Sequence, residues 1–575
     1  MWQGATPDMT ARLALLTPSS ESFTSAEERA LQPFFTNTDR SVVALRNLPE
    51  ATKGALFSRY SRTAKGVRRL FLDEFLGQSS AVAAAQEGLV GEAEAALRKA
   101  EAFYARVLAD YGDDSVGELG GAHIAFQDIS QIAAKAIEDS RIGASYLEKS
   151  TRYVRFDDKV DGRYRYYRDR RLLASPLADD FITCMDSLFE AYALSFPLLT
   201  EYVQQQHPIA DIVFENALTG QAQRFGDIDD DEFRKSAHYA YTQAVRARVC
   251  DSLRCFLPLA SLTNVGVYAN GRTYEYLLTK LYADPLDEVQ NLAFAANHEL
   301  EQIIGPYIRR ANNARGLAQQ EYLCERRQAQ MHWAKVVQPT MPATAQCKVT
   351  LLRYDEDAVD SVVAAILFPY SEYAEADLLQ TVAALPADAK ERIIADYLGE
   401  RSNRRHKPGR AFERADYLFE LCVNIGEYRD LQRHRICSPM RQQFSTVIGY
   451  DINPDIAAVA QIKAMYEQAM ERADALFRRL VTDYPAEAQY VVPMGYRVRY
   501  SLQLNLREAY HLIELRSGEQ GHRDYRRTAQ AMYEAIKAVH PELVRGMTFV
   551  NLTPDIAMGR LRAEMRSARK RLSQA

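Results

Sequence analysis

The chain is short of the features that anchor secreted, membrane-spanning or nucleic-acid-binding proteins. Its seven cysteines (Cys184, Cys250, Cys255, Cys324, Cys347, Cys422 and Cys437) are odd in number and form no C-x-x-C pair. That excludes a disulfide framework or an ordinary zinc site and fits reduced thiols in a cytoplasmic protein. No run of about 18 apolar residues occurs, so no membrane span is expected. The apolar stretch within MWQGATPDMTARLALLTPSS is too short for a signal peptide. Positive charge is not in excess either. The net charge is −5 and the pI is near 6.1, so no global field draws nucleic acid.

The composition is otherwise that of a globular protein with a proper core, 47% hydrophobic and 26% charged over 575 residues. That length predicts about two to four domains. Residues 1–38 read as an N-terminal arm, and residues 39–335 as a first, mainly helical domain. Within it, YGDDSVGELGGAHIAFQDISQIAAKAIED reads as a turn entering a helix. An insertion spans about 161–239, helical around Ile182 to Tyr202 and acidic at DIDDDE. A linker with two prolines follows at 336–346, and a second domain covers 347–575, opening on KVTLLRY, which alternates as a strand. Arg248 to Leu281 resembles Glu487 to Arg516: each has a Leu/Val-Pro pair, then Asn-x-Arg, then an aromatic-aliphatic helix. A repeat of this length means two homologous domains rather than a solenoid.

The two domains carry complementary halves of one motif. SRIGASYLEKSTRYV contributes Ala144, Ser145, Tyr146, Glu148, Ser150, Arg152 and Tyr153, whereas QRHRICSPMRQQFS contributes Arg433, His434 and Arg435. Joined, R-H-R and x-A-S-Y-x-E-x-S-x-R-Y, with Asn-x-Arg and a further arginine downstream, resemble the signature of the flavin-dependent thymidylate synthases. The resemblance implies two tandem α+β domains, helix-rich with a mixed sheet in each. It implies conversion of dUMP to dTMP with FAD as cofactor and methylenetetrahydrofolate and NADPH as co-substrates. The family assembles as tetramers whose sites draw on more than one subunit, so a homodimer of this chain would act as a pseudo-tetramer. Small molecules are the implied partners, with neither nucleic acid nor membrane.

Carried onto this sequence, the resemblance places dUMP at Glu148, Ser150, Arg152, Arg254 and Arg516. It places FAD at Arg433, His434, Arg435, Glu413, Asn505 and Arg507, with Asn270 and Arg272 as their first-domain counterparts. Arg516 and Arg433 stand at the reacting centre, and no metal is implied. The chemistry suits these residue types. Bidentate arginines with a hydroxyl bind a phosphate monoester best, and a reduced flavin needs donors where negative charge collects. The family pattern is also broken in places. Gly112 to Leu119 lacks both upstream histidines, Asp430 replaces a glutamine, Gln489 stands where Arg254 does in the first domain, and Leu281 stands where Arg516 does in the second.

Plainer readings exist for each feature. Glu148 and Arg152 have i, i+4 spacing and read equally as a helix-face pair, and the Asn-x-Arg motifs as turn stabilisers. RYRYYRDRR, Arg163 to Arg171, interleaves basic and aromatic residues as single-strand binders do but reads better as a solvated face. His123 reads as a core residue on an apolar helix, and Cys437 as packing. A different flavin-dependent nucleotide-modifying enzyme and a non-catalytic flavin- or nucleotide-binding homologue remain the alternatives.

Overall fold

The computed structural model describes residues 21–40, 42–61, 63–76, 117–216, 220–337, 339, 349–556 and 558–565. Residues 1–20 of the predicted arm, most of the linker and, in the first domain, residues 77–116 lie outside them. In the first half the chain forms β1 (Gly121–Ser130), α1 (Gln131–Glu138), β2 (Ala144–Glu148), α2 (Ala178–Gln206), α3 (Asp231–Leu253), β3 (Leu262–Asn270) and α4 (Gly271–Tyr282). In the second half it forms β4 (Val349–Tyr354), β5 (Asp416–Asn424), α5 (Ile425–Leu431), β6 (Ser438–Arg441), α6 (Ala460–Leu480), β7 (Arg497–Asn505), α7 (Leu506–Arg516) and α8 (Arg523–Val539).

The strand orders show the duplication. The first sheet runs β1-β3-β2, and the second runs β5-β7-β6 with β4 added outside β5. Every pairing in the second sheet is antiparallel, with Tyr500 opposite Leu421 and Met440 opposite Ser501, so it is not the mixed sheet expected. Alternation explains β7: Val498, Tyr500, Leu502 and Leu504 are buried, and the residues between them are half-buried.

Four strands end alike. Ser130, Asn270, Asn424 and Asn505 each close a strand with extended backbone and then cap the helix that follows. Their side-chain oxygens accept from the N–H of Ala133, Thr273, Glu427 and Glu508 respectively. Such a cap contributes about 1 kcal/mol and fixes where the strand becomes a helix. In the segment before the first half-motif the helix forms, but the strand β1 stands ahead of it, so the turn does not enter the helix directly. His123 lies on that strand, exposed, with its ring 4.5 Å from Tyr268.

The chain divides into two compact units that cut across the sequence order. One comprises residues 1–126, 142–147 and 265–338, and the other 127–141, 148–264 and 339–575. In the first, Leu31, Phe34, Phe35, Leu48, Leu56, Leu70 and Phe71 form a core. In the second, α2 buries Phe181, Met185, Leu188, Phe189 and Tyr192, each contributing about 1.5–3 kcal/mol relative to exposure.

The second unit also contains both Leu/Val-Pro loops, and they pair with each other. Pro258 and Pro493 form an antiparallel bridge. Around it, Leu259 N donates to Val492 O at 3.0 Å and Met494 N to Leu257 O at 2.9 Å. Both prolines stand twelve residues before their capping asparagine, so equivalent positions of the two repeats meet. Contact of like with like is the mark of a two-fold interface. The basic-aromatic run is consumed internally: Arg165 pairs with Asp128, Arg171 with Glu487, and Arg168 donates to the carbonyls of Tyr164 and Tyr166.

Candidate active site

The site grows around α5, whose start is fixed by Asn424. Near its end Asp430 turns inward, and Arg254, the residue that caps the end of α3, donates from Nη1 to Asp430 Oδ2 at 3.0 Å. Both side chains are buried. Gly426 permits this approach, because a Cβ there would lie 3.1 Å from Arg254 Nε. Burial opposes the charge on Asp430, but Arg254, Arg152, Arg516 and Arg433 hold its carboxyl well below the usual carboxylate range. Two of these arginines come from the first repeat and two from the second. Arg254 Nη2 has no hydrogen-bond partner among the described residues.

Arg152 follows β2 in a turn, so the helix-face reading of Glu148 and Arg152 does not hold. Its Nε and Nη2 donate to Asp251 at 2.6 and 2.7 Å, and its Nη1 donates to the Tyr525 hydroxyl at 3.1 Å. The Tyr525 ring lies 5.6 Å from the Arg152 guanidinium and 5.3 Å from that of Arg516, so one aromatic ring is within reach of both. Ser150 Oγ accepts from the Arg152 backbone N–H at 3.2 Å.

Glu148 is buried in an ion cluster. Arg429 donates to Oε1 at 2.6 Å, Lys135 to Oε2 at 3.3 Å, and Arg433 lies 3.5 Å away. Burial works against its charge, yet Arg429, Lys135 and Arg433 hold its pKa to about 2. Lys135 and Arg429 occupy the same position in α1 and α5, five residues beyond the cap of each helix.

The R-H-R triplet divides its tasks. Arg433 and Arg435 present exposed side chains, and among the described residues the Arg435 guanidinium makes no hydrogen bond or ion pair; its carbonyl accepts from Arg141 Nε at 3.2 Å. His434 is buried. Its Nε2 accepts from Arg516 Nε at 2.9 Å, which assigns the ring proton to Nδ1, 3.0 Å from Glu508 Oε1. Burial, then Arg516 and Lys407, hold His434 neutral by pushing its pKa well down. Ligand atoms of His434, Glu508 and His511 lie within 4.8 Å of one another, but Arg516, Lys407 and Arg507 surround them with positive charge, which disfavours a cation.

The Asn-x-Arg motifs do cap helices, and they do more. Arg507 Nη1 donates to Glu413 at 3.0 Å and its Nε to Pro408 O at 2.9 Å. In the other unit, Arg272 pairs with Glu118 at 2.6 Å. Each arginine thus meets a glutamate from the segment just before an equivalent strand, Glu118 before β1 and Glu413 before β5. Arg152, Arg254, Arg433, His434 and Arg516 meet around Asp430 and Tyr525, whereas Asn270 and Arg272 belong to the other unit. Sequence reading missed Asp251, Tyr525 and Glu508. The first and last carried a signal, as Asp251 stands three residues before Arg254 and Glu508 at the third turn position after a capping Asn.

A cavity of about 350 Å³ opens beside Arg152, lined also by Asp251, Asp455, His522, Arg523 and Arg560. The exposed guanidinium of Arg435, unpaired among the described residues, and the half-exposed one of Arg433, which also meets Glu148, stand next to a neutral, buried His434 and fit an anionic, hydrogen-bonding cofactor such as a flavin dinucleotide.

Residues 72–304 and 350–542 match the family described as thymidylate synthase complementing protein. A UPF0159 protein of Chlamydia muridarum is 39% identical over 546 residues, covering 95% of this chain and 98% of its own. A flavin-dependent thymidylate synthase of Geobacter sulfurreducens is 26% identical over 208 residues, covering 34% of this chain and 85% of its own. Among solved structures, the flavin-dependent thymidylate synthase of Helicobacter pylori complexed with FAD and dUMP shares 18% identity with a TM-score of 0.26, covering 34% of this chain and 98% of its own.

Proposed function

Because the chain belongs to the thymidylate synthase complementing protein family, we propose that it is a flavin-dependent enzyme converting dUMP to dTMP with methylenetetrahydrofolate and NADPH. The observation that carries this reading is the convergence of Arg152 and Arg254, from the first repeat, with Arg433 and Arg516, from the second, around Asp430. The sequence separates the two pairs by some 180 residues, yet they share one charge centre.

In this reading Arg152 and Ser150 bind the nucleotide phosphate, with Arg254 behind them. Each charge-assisted bond contributes about 1.5–3 kcal/mol, enough in combination for a micromolar ligand. Arg516, steadied by His434 and by the Tyr525 ring, polarises the uracil carbonyl and makes C5 of the base nucleophilic. Arg433, Arg435 and Arg507 would hold the FAD phosphates and ring edge, with Glu413 and Asn505 shaping that shelf. When bound, FAD supplies the reducing equivalents. Asn270 and Arg272 repeat the Asn505–Arg507 arrangement in a repeat that has Ser140, Arg141 and Ile142 where the other has R-H-R. A homodimer working as a pseudo-tetramer completes the proposal.

The test is an assay of the purified protein for bound flavin and for dUMP-dependent NADPH oxidation with dTMP formation. Arg152→Ala and Arg433→Ala are each expected to abolish it; full activity in either variant sinks the composite site. A second reading has its own support. The clamp arginines are already paired, Arg152 with Asp251 and Arg254 with Asp430, which favours a nucleotide-binding homologue without turnover or one acting on another nucleotide. Flavin uptake and dUMP binding without any product would select it.

A further inference from the structure

The cavity beside Arg152 is completed by a stretch that the family match does not reach. Residues 555, 556 and 558–560 line it, whereas the match ends at 542. Five guanidinium groups and four carboxylates face this space. Arg152 is matched by Asp251, Arg248 by Asp455 at 2.7 Å and Arg523 by Asp555 at 2.8 Å. Arg526 donates to the carbonyls of Ser517 and Thr553 at 3.0 and 2.9 Å. The fourth carboxylate, Glu519, lies 4.0 Å from Arg562.

Arg560 is the least satisfied of the five, with only a long contact to Glu564, at 4.0 Å. Its side chain is 16% exposed, and Nε and Nη1 are buried without a hydrogen-bond partner among the described residues. Its guanidinium lies 4.2 Å from the Tyr153 ring centre, which orients the plane but satisfies none of its N–H groups. Burial first, and then Arg152, lower its pKa to about 10. A buried guanidinium with open donors is costly unless an anion completes it.

We propose that Arg560 is an anion-binding residue of this cavity and that its ligand is a phosphate monoester, held between Arg560 and Arg152. A guanidinium fork matches two phosphate oxygens, and the volume suits a nucleoside monophosphate. The proposal deepens the proposed nucleotide site, where Arg152 already meets the phosphate, and the identity of the molecule bearing that phosphate rests on that reading; the anion-binding role of Arg560 does not.

Calorimetric titration of the full chain with inorganic phosphate, dUMP and deoxyuridine tests it. In Arg560→Gln, phosphate and dUMP are expected to bind about tenfold more weakly or worse, with deoxyuridine unchanged and partial recovery in Arg560→Lys. Phosphate is also expected to protect Arg560 of the unmodified chain from phenylglyoxal, read by peptide mass, which needs no variant to fold. Equal phosphate affinity in the unmodified chain and Arg560→Gln, or no protection, overturns the proposal. Arg560-dependent phosphate binding without any gain for dUMP over phosphate upholds it and counts against the nucleotide reading instead.

Discussion

Arg254 and Asp430 form a buried ion pair between the two repeats, guanidinium nitrogen to carboxylate oxygen at 3.0 Å. Removing one partner strands the other charge. Asp430→Ala is therefore expected to destabilise the fold by about 3–5 kcal/mol, seen as a lowered urea midpoint. The double change Arg254→Met with Asp430→Leu removes both charges and is expected to recover most of that loss. A single variant as stable as the parent chain would show that the pair contributes little.

Acid will unfold the chain in two stages. His511 is pushed down to about 4, by burial first, and His434 is lowered in the same direction. Below the ordinary histidine pKa of about 6.5 the unfolded chain takes protons that these rings refuse. Their contribution is complete above that pH and is lost as pH falls toward about 4. Glu148 and Asp430 lie below the usual carboxylate range, so theirs is complete above about pH 4 and is lost on further acidification, for Glu148 down to about 2. Urea midpoints measured from pH 8 to pH 3 should fall in both windows, and His511→Gln should flatten the upper one.

His434 positions Arg516 by accepting its Nε–H, and Glu508 fixes the tautomer that leaves Nε2 free to accept. Glu508→Ala is expected to weaken that tautomer, visible in the nitrogen-15 shifts of the His434 ring. The same variant should lower kcat about tenfold while dUMP affinity stays within twofold. An unchanged tautomer with unchanged kcat would remove the positioning role.

Among the described residues Arg435 has no partner for its guanidinium, whereas Arg272 is tied to Glu118. Arg435→Ala is expected to weaken flavin binding by about tenfold, measured by fluorescence titration, and to leave the melting temperature unchanged because no internal contact is lost. Equal flavin affinity in this variant would move the cofactor away from the R-H-R triplet.

Much of the fold was legible, and the reasons are local. The strand at KVTLLRY and the long helix across Ile182–Tyr202 announce themselves by period, and both form, as β4 and within α2. The repeat was legible because both Leu/Val-Pro and Asn-x-Arg recur at one spacing. What failed was the stretch that contains β1. GAHIAFQDIS mixes small, polar and apolar residues without a clean period of two, and pairing within the sheet overrides its weak local preference. At the site, residue types predicted the charge clusters but not their partners. Glu148 was expected to face substrate, yet Lys135, Arg429 and Arg433 surround it, because proximity of α1 and α5 is a tertiary fact. Tyr525 had no pattern to mark it and Asp251 only its spacing to Arg254, and folding brings both to Arg152.

The bridge between Pro258 and Pro493 has a genetic consequence. In a symmetric homodimer every mutation strikes both copies of a site at once, so a residue needed at one is kept at both. Here the two sides of the axis are encoded separately. A substitution at Gln489 leaves Arg254 untouched, and one at Leu281 leaves Arg516 untouched. Covalent linkage frees each half to drift wherever its twin still performs the task, and it also fixes the pairing of unlike halves at one to one.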